Sequence, residues 1–386
     1  MSKPIIRHVQ MPPNSKYLDG HNLPLRDRVL VVIGANGCGK TRFGAWLDNQ
    51  NIHLHHRVSA HRSLSFPERV QPTDLEEAER HLYFGNPIKE NPAHYRHHSR
   101  WQSNPATALM NDFAPLVTVM VSESFAVSDQ YRVAMKSATQ YVVPPKTRMD
   151  LVKEIWEAVL PDRELVFTGS RIETRNRKDN NLYQAKEMSD GERGIFYLIG
   201  EALSVPKDGV FVVDEPELHL HRAIQARLWD AVESARPDCT FVYITHDLGF
   251  AASRRDATKV WLREYTNDKW DWEEVPESDA FPESLLLEVM GSRRPVLFVK
   301  GDHSTSISSS TERFFQNTQL YRAARASSLS TQHAASPKCR VCTTTSAVGW
   351  SITTAARNPT SRGSTALELP CCRLRWSRTL SCFNRF

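Results

Sequence analysis

The 386-residue sequence predicts an α/β fold built on a mostly parallel central sheet. Three apolar runs carry the prediction. Val29–Ile33, Val210–Val213 and Thr240–Ile244 are each the length of a buried strand, and each precedes a stretch with helical spacing. Alternation of this kind gathers ligands at the carboxyl ends of the strands, and all three runs end in chemistry-bearing residues. No run approaches the roughly eighteen apolar residues of a membrane span, and the N-terminus lacks an apolar signal core. A cytoplasmic protein with no membrane partner is therefore expected.

Residues 1–28 are polar and Pro-punctuated, and are expected to form an edge strand and loops. The strand Val29–Ile33 runs into Gly34-Ala-Asn-Gly-Cys-Gly39-Lys40-Thr41, and a helix is expected from Thr41 to Leu47. Strand, G-x-x-x-x-G-K-T and helix in that order define a phosphate-binding loop. Glycine lets the backbone N–H groups around Asn36, Gly37 and Gly39 point inward at a β-phosphate, where Cβ atoms would otherwise collide. Lys40 adds a mobile charge for the β- and γ-phosphates, and Thr41 offers a hydroxyl to Mg²⁺. ATP and Mg²⁺ are the expected ligands.

From His53 to His98 the chain is rich in His, Arg and Pro, which predicts loops, short strands and a helix around Leu75 to Leu82. Leu116 to Val121 reads as strand or helix, Met149 to Leu160 as helix and Leu165 to Thr168 as strand. Residues 53–165 thus form a helical and irregular insertion, and Arg175 to Asn181 a hairpin or surface loop.

Met188-Ser189-Asp190-Gly191-Glu192-Arg193 opens a helix whose apolar part is Gly194 to Leu203. Ser189 and Glu192 have the spacing of a capping box. The same helix start, with Ser189 and Gly191, also suits the γ-phosphate of a nucleotide held by another subunit. Val210–Val213 ends in Asp214-Glu215, which places Asp214 at Mg²⁺, directly or through water, and Glu215 where it orients and polarises an attacking water. A helix from about Ala223 to Ala235 follows, and then the strand ending in Thr245-His246-Asp247 presents His246 as a γ-phosphate sensor. Lys259 to Arg263 and Trp270 to Val275 are expected to add strands, and Pro282 to Met290 a helix.

Charge and cysteine usage split the chain. Residues 301–386 hold eleven Lys and Arg against three acids, a balance of +8, so the +5 of the whole chain leaves −3 for residues 1–300. The basic character belongs to the tail and says nothing of the partner of the rest. Only Cys38 and Cys239 lie in the first 300 residues, as suits a reducing compartment.

The motifs GANGCGKT at 34–41, MSDGER at 188–193, FVVDEPELHLH at 211–221 and ITHD at 244–247 resemble, in order and kind, the ABC-type ATPase heads. The resemblance covers about residues 25–265 and is closest to soluble heads of the OLD nuclease and SMC-related group. It implies a P-loop NTPase fold in which an antiparallel β lobe and a helical insertion accompany the central sheet. It also implies that two heads sandwich two ATP molecules, with Ser189 and Gly191 of one facing Lys40 and Thr41 of the other, giving a homodimer or higher even oligomer. Asp190 stands where many ABC signatures have Gly. ATP hydrolysis would then control an effector protein or domain in nucleic-acid surveillance or phage defence, with DNA or RNA as a further candidate partner. The alternative is a switch or scaffold that binds ATP, turns over negligibly and gates a separate protein.

After this head, 1–275, residues 276–302 read as a linker and one strand. Pro295-Val-Leu-Phe-Val299-Lys300-Gly301-Asp302 resembles the opening of a Toprim-like domain, which PARIS-type anti-phage systems append to such heads. That pattern has glutamate where this chain has Lys300, so nuclease chemistry is not expected. In 303–386 Ser and Thr rise to about a third of residues, acids nearly vanish and apolar periodicity fades, which predicts disorder. Codons for Gly349 to Arg357 exist that, read two bases later, spell an apolar strand ending in Asp-x-Asp. The same offset can turn Leu369 to Leu380 into an apolar run, so a frameshifted or truncated Toprim-like domain is the expectation.

Overall fold

The computed structural model describes residues 7–67, 70–138, 140–169, 171–276 and 281–290, and the backbone of 296–300, 319–323 and 341–342. The chain divides into two units, Met1–Pro295 and Val296–Phe386.

In the first unit a hairpin, β1 (His8–Met11) and β2 (His21–Pro24), precedes the P-loop strand β3 (Val29–Ile33) and helix α1 (Lys40–Asp48). Strand β4 (His55–Val58) then leads into helices α2 (Leu75–Phe84), α3 (Pro92–Ser99), α4 (Phe113–Ser137) and α5 (Arg148–Val159). A three-stranded antiparallel sheet follows, β5 (Arg163–Thr168), β6 (Arg171–Asn176) and β7 (Leu182–Gln184). Beyond it come α6 (Asp190–Ser204), β8 (Val210–Asp214), α7 (Arg222–Ala235), β9 (Thr240–Thr245) and α8 (Leu248–Ser253). The last elements are β10 (Thr258–Thr266), β11 (Lys269–Glu274) and α9 (Glu283–Met290).

The central sheet has the order β11-β10-β3-β9-β8-β4. Every neighbouring pair in it is parallel except β10 and β11. This is the α/β architecture that the three apolar runs predict, with antiparallel strands added around it. Side chains alternate across β3 as a two-sided strand requires. Val29, Val31 and Ile33 join a core with α4 to α7, whereas Leu30 and Val32 pack with Phe43 and Leu47 of α1 and with Val9 and Met11 of the hairpin. Burying each such side chain contributes about 1.5–3 kcal/mol.

Helix boundaries follow local chemistry. Asp74 caps α2 by accepting from the Glu77 N–H, and Gly85 ends it in a left-handed turn at φ 74°. Thr147 and Asp150 form a capping box at α5. The stretch Leu116 to Val121, which pattern alone leaves between strand and helix, belongs to the 25-residue α4. Apart from Thr118 its residues are apolar because this part of α4 is buried on several sides, which blurs the helical period. Helices α3 and α8 are additional to those the sequence predicts: α3 is His- and Arg-rich, and α8 spans only six residues.

In the second unit β12 (Val296–Lys300) lies between β13 (Gln319–Ala323), parallel to it, and β14 (Val341–Cys342), antiparallel. The strand expected after Pro295 is therefore present. Two short strands also fall within 303–386, where composition predicts none; the remaining residues of that stretch lie outside those described.

A buried ionisable cluster joins β4 to the inserted helices. His56 Nε2 meets a carboxylate oxygen of Glu201 on α6, and Arg100 reaches Asp112 at 3.1 Å, which in turn accepts from Tyr197 at 2.7 Å. Burial pushes Glu201 up to about 8, and burial with the Arg100 charge pushes His56 down to about 3. The proton they share thus sits on Glu201, which donates to a neutral His56.

Glu201 binds a proton near 4.5 when unfolded and near 8 when folded, so its contribution to stability is full below about 4.5 and lost as pH rises toward 8. His56 has the opposite sign, contributing fully above 6.5 and losing it as pH falls toward 3. Asp112, pushed up to about 6 by burial and then by Glu201, acts at lower pH. Denaturation in urea should show lower wild-type stability at pH 8 than at pH 6.5. Glu201→Gln keeps a donor for His56 but has no proton to release, so its drop should be smaller. An equal drop in both proteins would remove Glu201 as the source.

Candidate nucleotide site

The P-loop closes over the end of β3 and hands directly into α1. Lys40, nearly buried, folds its ammonium back to donate to the carbonyls of Gly34 and Ala35, both at 3.0 Å. This holds the charge over the loop, within reach of a phosphate seated in it. Gly37 and Gly39 take φ of 90° and 95°, the left-handed region. At Gly39 a Cβ would also stand 2.5 Å from Cβ of Tyr265 on β10. Gly39→Ala should therefore cost about 1–3 kcal/mol of stability in chemical denaturation, from strain and steric conflict together. A stability equal to wild type would mean that the loop relaxes freely. Asn36 and Gly37 are exposed at the loop tip, and Thr41 is half-buried in the first turn of α1.

Strand β9 lies between β3 and β8, and its carboxyl end ties the two halves of the site together. The Gly34 N–H donates to the Thr245 carbonyl at 3.3 Å, and the Glu215 N–H to the Ile244 carbonyl at 2.8 Å. Asp214 ends β8 fully buried. Its Oδ2 accepts from Arg57 Nε at 3.2 Å and Nη2 at 2.5 Å. Burial raises its pKa, with Arg57 opposing. Gly44 of α1 leaves the room this carboxylate occupies, since a Cβ there would come within 2.7 Å of Oδ1.

Glu215 follows at φ 50°, a left-handed backbone that a side-chain-bearing residue adopts only when its surroundings impose it. Its Oε2 lies 2.6 Å from Nδ1 of His246, which is about half exposed at the end of β9. Glu217 completes the group: its Oε1 accepts from Thr245 Oγ1 at 2.6 Å and lies 3.7 Å from His246 Nδ1. Burial, and then the hydrogen bond with Glu215, push Glu217 up to about 8.

The residues fit Mg²⁺. Asp214 Oδ1 is buried without a hydrogen-bond partner, an arrangement that costs free energy unless a cation or donor meets it. Thr41 at the start of α1 and Asp214 are the hard oxygen donors this ion takes. Ligand atoms of Glu215, Glu217 and His246 also lie within 4.8 Å of one another, a spacing that a metal could bridge.

Ser189 caps α6. Its Oγ accepts from the Glu192 N–H at 3.3 Å, and the Ser189 N–H donates to Glu192 Oε2 at 2.8 Å. Both halves of the capping box are thus formed, and Arg163 and Tyr183 further anchor Glu192. Ser189 is exposed, and a Cβ on Gly191 would lie 3.5 Å from the His219 carbonyl, so this helix start abuts the turn after Glu215.

The structure thus brings together the loop 34–41, Asp214, Glu215 and His246. Arg57, which holds Asp214, and Trp101, whose ring lies against Arg57, are neighbours of the site that sequence reasoning misses, because neither belongs to a spaced motif. Glu217 carried a signal, as the second acid of Asp-Glu-Pro-Glu.

A P-loop after β3, the acidic pair Asp214-Glu215 at the end of β8 and an intervening β9 define the class, a P-loop NTPase fold. Residues 76–252 match the family model described as "AAA domain, putative AbiEii toxin, Type IV TA system". Among solved structures, the chain is similar to an Smc head bound to the C-terminal winged-helix domain of ScpA, at 14% identity and TM-score 0.40, over 73% of this chain and 99% of that one. It is also similar to the SMC head domain from Thermotoga maritima, at 12% identity and TM-score 0.36, over 70% of this chain and all of that one. No curated protein matches the sequence. Among the described residues, no helix is long and apolar enough to cross a membrane.

Proposed function

We propose that this protein binds and hydrolyses ATP, and that ATP joins two copies into a dimer that controls an effector. One observation carries the reading. The last two carbonyls of β9 hold both the P-loop and Glu215, so phosphate-binding and water-activating groups are fixed to one strand end. Lys40 and the loop N–H groups bind the β- and γ-phosphates. Thr41 and Asp214 would hold Mg²⁺, and the bound ion would supply charge stabilisation for the transferred phosphoryl group. Glu215 takes a proton from the attacking water, and His246, 2.6 Å away, holds that carboxylate in place and faces the γ-phosphate.

The exposed start of α6, with Ser189 and Gly191, supports capture of the partner copy's nucleotide. Control of an effector in nucleic-acid surveillance or phage defence is in keeping with the toxin–antitoxin description of the matched family. The Toprim-like reading of the segment from Pro295 belongs to this proposal, with Lys300 arguing against cleavage by this chain. Steady-state ATP hydrolysis, with and without DNA, tests the reading. Turnover that DNA changes supports both parts. ATP binding with negligible turnover in either condition would identify a nucleotide switch instead.

A further inference from the structure

Arg57 on β4 is fully buried beneath the nucleotide site, yet no motif uses it. Its guanidinium has three engagements. Nε and Nη2 both hold Oδ2 of Asp214, Nη1 donates to the Pro105 carbonyl at 2.7 Å, and one face lies 5.0 Å from the ring centre of Trp101. Trp101, itself 1% exposed, also has Arg100 at 5.4 Å from its ring centre.

We propose that Arg57 is a positioning residue that orients the Asp214 carboxylate for Mg²⁺ and transmits the loading of that site to the Trp101–Pro105 segment. The inference rests on the ATP–Mg²⁺ reading of the site. Two donors on one oxygen fix the rotation of the carboxylate, and the other oxygen, Oδ1, is left buried and without a hydrogen-bond partner. One oxygen is thus committed to the protein and one is free for a cation. A dication at Oδ1 repels the guanidinium and competes for the same carboxylate charge. The guanidinium is a rigid plane, so displacement at its Asp214 edge moves the edge on Pro105 and the face on Trp101. The inserted segment thereby senses the metal without touching it.

The test uses the full chain, with ATP affinity measured by calorimetry in EDTA and in Mg²⁺. The Trp101 component of the emission is taken as wild type minus Trp101→Phe. Mg²⁺ with ATP should shift that component, and ATP in EDTA should not. Arg57→Met should abolish the shift and reduce the Mg²⁺-dependent gain in ATP affinity about tenfold or more, as loss of an outer-shell partner does. Its affinity in EDTA should stay within about twofold of wild type. Arg57→Lys keeps the charge but not the planar hold, and should lose the gain as well. Equal gains in wild type and folded Arg57→Met would overturn the inference.

Should the Arg57 variants fail to fold, the wild-type arm decides alone. Trp101 emission that ignores Mg²⁺ in a protein that binds ATP overturns the inference. A wild type that binds no ATP in either condition overturns the nucleotide reading itself, before any variant is made.

Discussion

Lys40→Ala is expected to abolish ATP binding at ordinary working concentrations. The ammonium now held by the Gly34 and Ala35 carbonyls is the mobile charge of the loop, and swinging onto the phosphates it forms charge-assisted hydrogen bonds. Each such bond contributes about 1.5–3 kcal/mol, so losing two weakens binding by a hundredfold or more, on the order of 3 kcal/mol. Alanine keeps the helical backbone of α1 but removes the hydrogen bonds to the Gly34 and Ala35 carbonyls, so the thermal midpoint without nucleotide should fall by a few degrees while the protein stays folded. Unchanged affinity in calorimetry would sink the phosphate-loop assignment.

Glu215→Gln is expected to separate binding from turnover. The amide cannot take a proton from water, and turnover should fall by about 10²–10⁴-fold. Asp214, Thr41 and Lys40 remain, so ATP stays bound and the dimer persists. Light scattering should show mass doubling that depends on ATP, and a variant that binds ATP yet stays monomeric would count against the sandwich. Ser189→Arg should prevent the doubling by placing bulk and charge at the exposed start of α6, while leaving ATP binding in the single head intact.

The central sheet and most of the site were legible in the sequence because each rests on local pattern. Val29–Ile33 is apolar on both faces, as a strand covered on both sides must be, and G-x-x-x-x-G-K-T encodes its own backbone geometry. The capping box at Ser189 was readable for the same reason, since its partner is three residues away. What stayed hidden depends on long-range placement. Arg57 lies 157 residues from Asp214 in the chain, and His56 lies 145 from Glu201. An arginine inside His55-His-Arg-Val58 gives no sign that its charge will be met. Nor does spacing reveal that Thr245 and Glu217 will pair, because the helix α7 intervenes.

Strand β9 gives the protein one point of failure. Its final two carbonyls anchor the nucleotide loop and the acidic turn, and its side chains occupy both faces of the core. A slip of one residue in its pairing would exchange those faces and detach both anchors at once. The site therefore has no partly assembled state reachable by shifting this strand, and amide exchange across β9 should report, within a single cooperative opening, both the unfolding of the sheet and the loss of the machinery it carries.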